Sequence, residues 1–340
     1  MSIMRRTPWP DFVLALAMAG AGLNVGCSSD ASKSGASAGS GGAALGGAGA
    51  SSTGGASSAD PNAVVGSFIV GLVGKTETDD AYTTFSGKVY DGVTPDNVAW
   101  DVVSSSDGCQ LSKPRAPFCD PACKNGDVCV DGDQCASYPT AQDLGPITVS
   151  GLGPADIAIK PIASAYQLPG DAVLPFPPAD EGSAISLNVP GGPYGAFAIK
   201  TQMVAPLLST GTVTLETGKA LALSWDAPGD PTVARIQIKL DISHHGGTKG
   251  KVECDVADSG SLEIPAAMVS SLIALGVAGF PSVTLSRVAI GSALIAPGKV
   301  TLQVLSEVSR ALVVSGVQSC MADTDCPTGK TCKQDETCTN

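Results

Sequence analysis

The chain has 340 residues, a formal charge of −12 and 4% aromatic residues. Net negative charge disfavours nucleic acid and anionic membrane surfaces as partners and suits an exported protein kept in solution. With 41 glycines and 24 prolines against 15% charged residues, the folded part is expected to be a turn-rich chain of short elements.

Arg5 and Arg6 precede an apolar run over 12–21, and small residues follow up to Cys27. A basic head, an apolar middle and a small-residue end make a secretory signal. The run is too short to cross a bilayer, which needs about 20 apolar residues. Its end, Leu23-Asn24-Val25-Gly26-Cys27, resembles a bacterial lipoprotein signal. That resemblance implies cleavage before Cys27 and lipid on its thiol. It departs from the pattern at Asn24, where such signals carry Leu; Leu23 lies one residue further out. The alternative is ordinary secretion, with cleavage at 17–19 or 19–21. Ser28 stands where lipoproteins retained at the inner membrane have Asp, which implies sorting to the outer membrane. Residues 28–60 are almost wholly Ser, Gly and Ala. Such a tract buries too little apolar surface to offset its chain entropy. It is expected to be a flexible tether with a root-mean-square span of roughly 30 Å. Loss of residues 1–26 removes Arg5, Arg6 and Asp11 and leaves a charge of −13.

Most of the remainder reads as strands. The clearest is 233–242, where Ile236, Ile238, Leu240 and Ile242 alternate with Arg235, Gln237, Lys239 and Asp241. Period two with apolar residues on one side is a half-buried antiparallel strand. Further strands are expected at 67–73, 82–90, 98–104, 147–152, 185–189, 196–201, 212–216, 220–225, 250–256, 283–290, 299–305 and 310–315. Gly, Pro, Asn and Asp clusters separate many of them. One helix is expected over 265–276, with Pro265 in its first turn, apolar residues at Met268, Val269, Leu272 and Ile273, and Gly276 ending it. Short strands at this spacing predict one or two antiparallel β-sandwiches. A soft boundary near Gly211 divides 63–211 from 212–317.

Eleven cysteines are present. Setting Cys27 aside leaves an even number, which in an exported chain argues for disulfides rather than metal thiolates. Cys123, Cys129 and Cys135 repeat the spacing of Cys326, Cys332 and Cys338, with Gly126 and Gly329 at the same internal place. Cys119 and Cys320 add a fourth cysteine to each group. If each group closes on itself, as modules over 109–139 and 318–340, Cys109 and Cys254 are left to pair. Connectivity within a module stays open.

The segment from Cys320 to Cys332 resembles the cysteine-rich modules that follow the Dickkopf N-terminal region. The segment from Cys109 through Pro117-Phe118-Cys119, Cys123 and Cys135 to Pro139 is similar to uncharacterised surface lipoproteins of myxobacteria. In Dickkopf proteins such modules sit in extracellular antagonists, and the β-rich remainder here has no counterpart in them. Phe85-Ser86-Gly87-Lys88-Val89-Tyr90-Asp91-Gly92 is similar to the opening of carboxypeptidase-regulatory-like sandwiches.

Catalytic chemistry has few places to reside. His244 and His245 are the two histidines, adjacent after the best strand, so they point to opposite sides and suit a polar turn better than a metal. Gly35-Ala36-Ser37-Ala38-Gly39 lies inside the tether, where no strained elbow forms. Gly74-Lys75-Thr76 lacks the glycine a phosphate loop requires, having Ile69 in its place. Asp131 with Asp133, Asp255 with Asp258, and Asp323 with Asp325 are weak calcium candidates without EF-hand spacing. Trp100 and Trp225 sit in apolar strand patterns and are expected in the core. No cofactor or metal is therefore expected.

These observations predict a non-catalytic cell-envelope lipoprotein. Its partners would be the membrane, through Cys27, and a surface protein or glycan. The alternatives are an exported, glycosidase-like hydrolase using carboxylates alone, or a secreted binding protein without lipid.

Overall fold

A computed structural model describes residues 62–76, 79–96, 98–170, 172–208, 212–243 and 249–339. The signal segment, Cys27, the tether with Ser37, and the His244–His245 pair lie outside them. The described residues fall in one unit, Ala56–Asn340, and are mainly β. In chain order the strands begin with β1 (Val64–Val73), β2 (Tyr82–Val89), β3 (Ala99–Ser106) and β4 (Cys109–Arg115). The first cysteine module holds β5 (Val128–Val130) and β6 (Gln134–Ala136). Then come β7 (Ile147–Ser150), β8 (Ile157–Ile159), β9 (Ala165–Gln167), β10 (Ala184–Val189), β11 (Phe197–Gln202), β12 (Val213–Leu215) and β13 (Leu221–Ser224). The last group is β14 (Arg235–Asp241), β15 (Lys251–Ala257), β16 (Ser261–Ile264), α1 (Ala266–Ala274), β17 (Ser282–Ile295) and β18 (Gly298–Val314).

The β17–β18 hairpin is the spine of the molecule. The sequence reads a break between 305 and 310, where Ser306, Glu307 and Ser309 interrupt the apolar pattern. Instead β18 runs unbroken, and its polar residues find partners on β17. Ser306 faces Arg287, and Glu307 faces Ser286, whose hydroxyl donates to the Glu307 carboxylate at 2.9 Å. Around this hairpin one ten-stranded sheet is ordered β3-β4-β15-β14-β17-β18-β1-β2-β9, with β12 also pairing β18. A four-stranded sheet, β11-β10-β7-β8, faces part of it. Two pairings are parallel, β1 with β18 and β12 with β18, so the sheet is mixed rather than purely antiparallel.

Two apolar cores result. The first gathers Phe68, Phe85, Tyr166, Ile147, Leu187, Ile199 and Leu302 between the two sheets. Gly87 gives the Phe68 ring its place, since a Cβ there would lie 2.1 Å from that ring. Gly291 lets β11 approach β17, since a Cβ there would meet the Lys200 carbonyl at 1.9 Å. The second core packs Ile236, Ile238, Leu240, Leu285 and Leu312 against Leu223, Ile264 and α1. The helix begins one residue later than expected. Pro265 is its N-cap, and Gly276, at φ 99°, follows its C-cap Leu275.

The expected boundary near Gly211 does not separate two sheets. β1 hydrogen-bonds to β18, and β4 to β15, so the ten-stranded sheet draws strands from both sides of it. The long strands β17 and β18 contribute residues to both cores.

Candidate binding surfaces

A buried ionic cluster sits where the two cores meet. The Arg287 side chain is fully buried. Its Nε donates to Asp258 Oδ2 at 2.5 Å, and Nη2 donates to the Asp226 carbonyl at 2.6 Å. Nη1 donates to the carbonyls of Ala205 and Pro206 at 3.3 and 3.2 Å. Trp225 Nε1 donates to Asp258 Oδ1 at 2.8 Å. One guanidinium thus ties β17 to segments on both sides of the expected boundary. Such a satisfied network fits a structural clamp. Sequence reasoning missed it, because Arg287 shares the face of Val283 and Leu285 and its carboxylate partner Asp258 lies on a distant segment that no local pattern announces.

The acidic candidates for calcium are engaged elsewhere. Asp131 accepts from Arg115 Nη2 at 2.5 Å and from the Gly132 amide at 2.9 Å. The Arg115 hydrogen bond, first, holds the Asp131 carboxyl below its ordinary range. Asp133 accepts the Phe118 amide. Asp255 pairs with Arg235, and Asp258 belongs to the buried cluster. Asp323 accepts the Cys332 amide, and Asp325 accepts those of Met321 and Ala322. These are turn- and strand-fixing roles. Lys75 pairs with Asp80, and the Asp79 amide donates to the Thr76 hydroxyl, so both residues are engaged within the chain. Trp225 is buried as expected. Trp100 is only half-buried, with the Lys251 ammonium 4.0 Å from its ring centre.

The cysteines form five bonds. Cys109 pairs with Cys254, directly opposite on β4 and β15. Cys119 pairs with Cys129 and Cys123 with Cys135. Cys320 pairs with Cys332 and Cys326 with Cys338. Each module therefore joins its first cysteine to its third and its second to its fourth. Two trios of sulfur atoms lie within 4.8 Å of one another, Cys119-Cys123-Cys129 and Cys320-Cys326-Cys338. Stacked disulfides account for this closeness, and a bonded sulfur is not a thiolate ligand.

The two modules share the turns that follow their second and third cysteines. The Asp127 amide donates to the Lys124 carbonyl at 3.0 Å, and Lys330 to Pro327 at 2.9 Å. Asp133 donates to Val130 at 3.1 Å, and Glu336 to Lys333 at 3.0 Å. Gly126 and Gly329 take φ of 84° and 86°, a left-handed turn conformation that glycine adopts without strain. The spacing repeat is thus a structural repeat.

Two uncharged hollows remain as surface features. One of about 320 Å³ runs beside the end of β18, lined by Val277, Phe280, Pro281 and Val313. The other, about 450 Å³, lies on the four-stranded sheet and is lined by Thr148, Asn188, Pro190, Phe197 and Ala198.

No family model matches the chain, and no curated protein matches it. Among solved structures, the FN1–FN3 domains of chicken CNTN1 are similar at 9% identity and a TM-score of 0.17. That match covers 68% of this chain and 72% of that one. At such a score the likeness bears on neither fold nor function.

Proposed function

We propose that this protein is a lipid-anchored component of a bacterial cell envelope that acts by binding rather than by catalysis. The observation that carries the reading is the cysteine arithmetic. Of eleven cysteines, ten are paired within the folded body, and the eleventh is Cys27, at the end of the apolar leader. Five disulfides fit an oxidising compartment. A single cysteine left over at that position fits lipidation. The resemblance of the cysteine segments to myxobacterial surface lipoproteins supports the same setting, and Ser28 fits the outer membrane. The tether would hold the body clear of the bilayer, presenting the first cysteine module and the uncharged hollows to a surface protein or glycan.

Intact mass of the membrane-extracted protein tests the anchor. The expected mass is that of a chain starting at Cys27, with acyl groups added and ten thiols oxidised. Cys27→Ser is expected to release the protein from the detergent phase or leave its precursor uncleaved. A mature N-terminus near Gly20 or Gly22 would overturn the lipoprotein reading in favour of plain secretion.

A further inference from the structure

Three rows of outward residues line one end of the ten-stranded sheet. Leu294, Lys299 and Val64 stand side by side on β17, β18 and β1. Ser292, Thr301, Ser67 and Lys88 form the next row, and Ile290, Gln303, Ile69 and Ser86 the third. Their chain neighbours Ala289, Val300, Leu302, Phe68 and Val89 point the other way, into the first core. Tyr90 completes the face, with the Lys88 ammonium 5.4 Å from its ring centre. Val64, Ile290 and Leu294 are 46%, 52% and 65% exposed.

The face is basic in a chain of charge −12. None of its three rows holds an Asp or Glu. Among the described residues the ion pairs lie elsewhere, and neither Lys88 nor Lys299 enters one. Asp91, next to Tyr90, is taken by the Thr140 amide at 2.7 Å and by Gln142 Nε2 at 3.3 Å. The next carboxylate along β18 is Glu307, which accepts from Ser286. Val64 is also the first residue of β1, so the chain that leads from Cys27 enters the body at this face. Lysines beside a tyrosine and exposed aliphatic side chains suit the boundary between water and lipid, where stems and rings lie among apolar groups and charges stay in water.

We propose that this face docks on the headgroup layer of the bilayer to which the chain is anchored. Lys88 and Lys299 bind lipid phosphate groups. Tyr90, Val64, Ile290 and Leu294 enter the headgroup region beside them. The tether that lets the body stand clear of the bilayer also keeps this face within reach of it. A linked contact of that kind acts at high effective concentration, so a small patch suffices. The docked body turns its four-stranded sheet away from the lipid. Thr148, Asn188 and Ala198 of that sheet's hollow alternate with Val149, Leu187 and Ile199, which face the first core, so the hollow stays open to a partner. This rests on the lipid anchor proposed above and adds an orientation to it.

The test is a lysine footprint. The mature chain is reconstituted into vesicles of phosphatidylethanolamine and phosphatidylglycerol, floated, and treated with an amine-acylating reagent. The reference is the same chain in a sugar-headed detergent, and labelled peptides are read by mass. Lys88 and Lys299 are expected to react about tenfold more slowly in vesicles, equivalent to about 1.4 kcal/mol. Lys200, exposed on the four-stranded sheet, is expected to keep its rate. High salt should restore part of the lost reactivity, because it screens the phosphate contacts. Leu294→Asp places a carboxylate at an exposed position of the face and is expected to return both lysines to their detergent rates. A chain that does not float lacks the anchor and overturns both readings. A chain that floats with both lysines as reactive as in detergent overturns the docking alone. Protection indifferent to Leu294→Asp would do the same. Protection that grows with the protein-to-lipid ratio would assign the face to a second copy of the chain and overturn the proposal equally.

Discussion

At the scale of single residues, Arg287 has the most at stake. Its guanidinium donates to a buried carboxylate and to three carbonyls, and its side chain has no access to solvent. A buried pair of this kind adds little net stability over apolar residues, but losing one partner strands the other charge. Arg287→Met is therefore expected to destabilise by about 3–5 kcal/mol in urea denaturation. Adding Asp258→Asn removes the stranded charge and is expected to recover part of that loss. A fully additive double variant would show that the two residues act independently. Asp335 carries a smaller, pH-dependent effect. The Thr337 hydroxyl, at 2.6 Å, lowers its carboxyl below the ordinary value, helped by the Thr337 amide and Lys333. A depressed folded-state value means that the stabilisation is present above the unfolded value. It is lost as pH falls through the folded one. Protection of the Thr337 amide is thus expected to fade below about pH 4, and in Asp335→Asn to lose that dependence. Equal acid sensitivity in the variant would assign the effect to another carboxylate.

Elements were legible where one period rules. Helix α1 follows from apolar residues at Met268, Val269 and Leu272, and these are its buried residues. Leu272 is fully buried in the second core, so Leu272→Ala is expected to cost about 2–5 kcal/mol. An unchanged melting temperature would place the helix outside the cooperative core. Strand β14 was equally plain, because Ile236, Ile238 and Leu240 are buried and their neighbours exposed. What could not be read was pairing across distance. Ser306 and Glu307 look like a turn because their partners, Arg287 and Ser286, sit about twenty residues earlier on another strand. The short strands β8, β9 and β16 escaped for a different reason: with three or four residues each, they show almost no alternation. The parallel pairing of β1 with β18 joins residues more than two hundred apart, and no local pattern announces it. Of the candidate surfaces, the repeated module was visible in its spacing. The docking of the second module on the body was not, since it depends on contacts with the loop at Gly279, some forty residues earlier.

At the scale of the whole molecule, two kinds of stability stand side by side. The body is held by its two apolar cores, its ten-stranded and four-stranded sheets and a buried clamp. The first module has no buried residue between 113 and 143, so it keeps its shape through Cys119–Cys129 and Cys123–Cys135. Small units without a core depend on such staples. Cys109–Cys254 belongs to the other class, with both residues buried and facing each other across β4 and β15. It closes a separation of 145 residues, for which the chain-entropy account gives roughly 5 kcal/mol. Its burial shields it from an aqueous reductant while the body stays folded. Graded reduction followed by alkylation and peptide mapping is therefore expected to label the first module's cysteines earliest. The second module should follow, because Cys320 and Cys338 are buried against the body. Cys109 and Cys254 should be labelled last, and only once the body opens. Far-ultraviolet circular dichroism should keep most of its β signal through the first two stages. Simultaneous labelling of all ten cysteines, with concurrent loss of that signal, would show that the modules and the body form one cooperative unit.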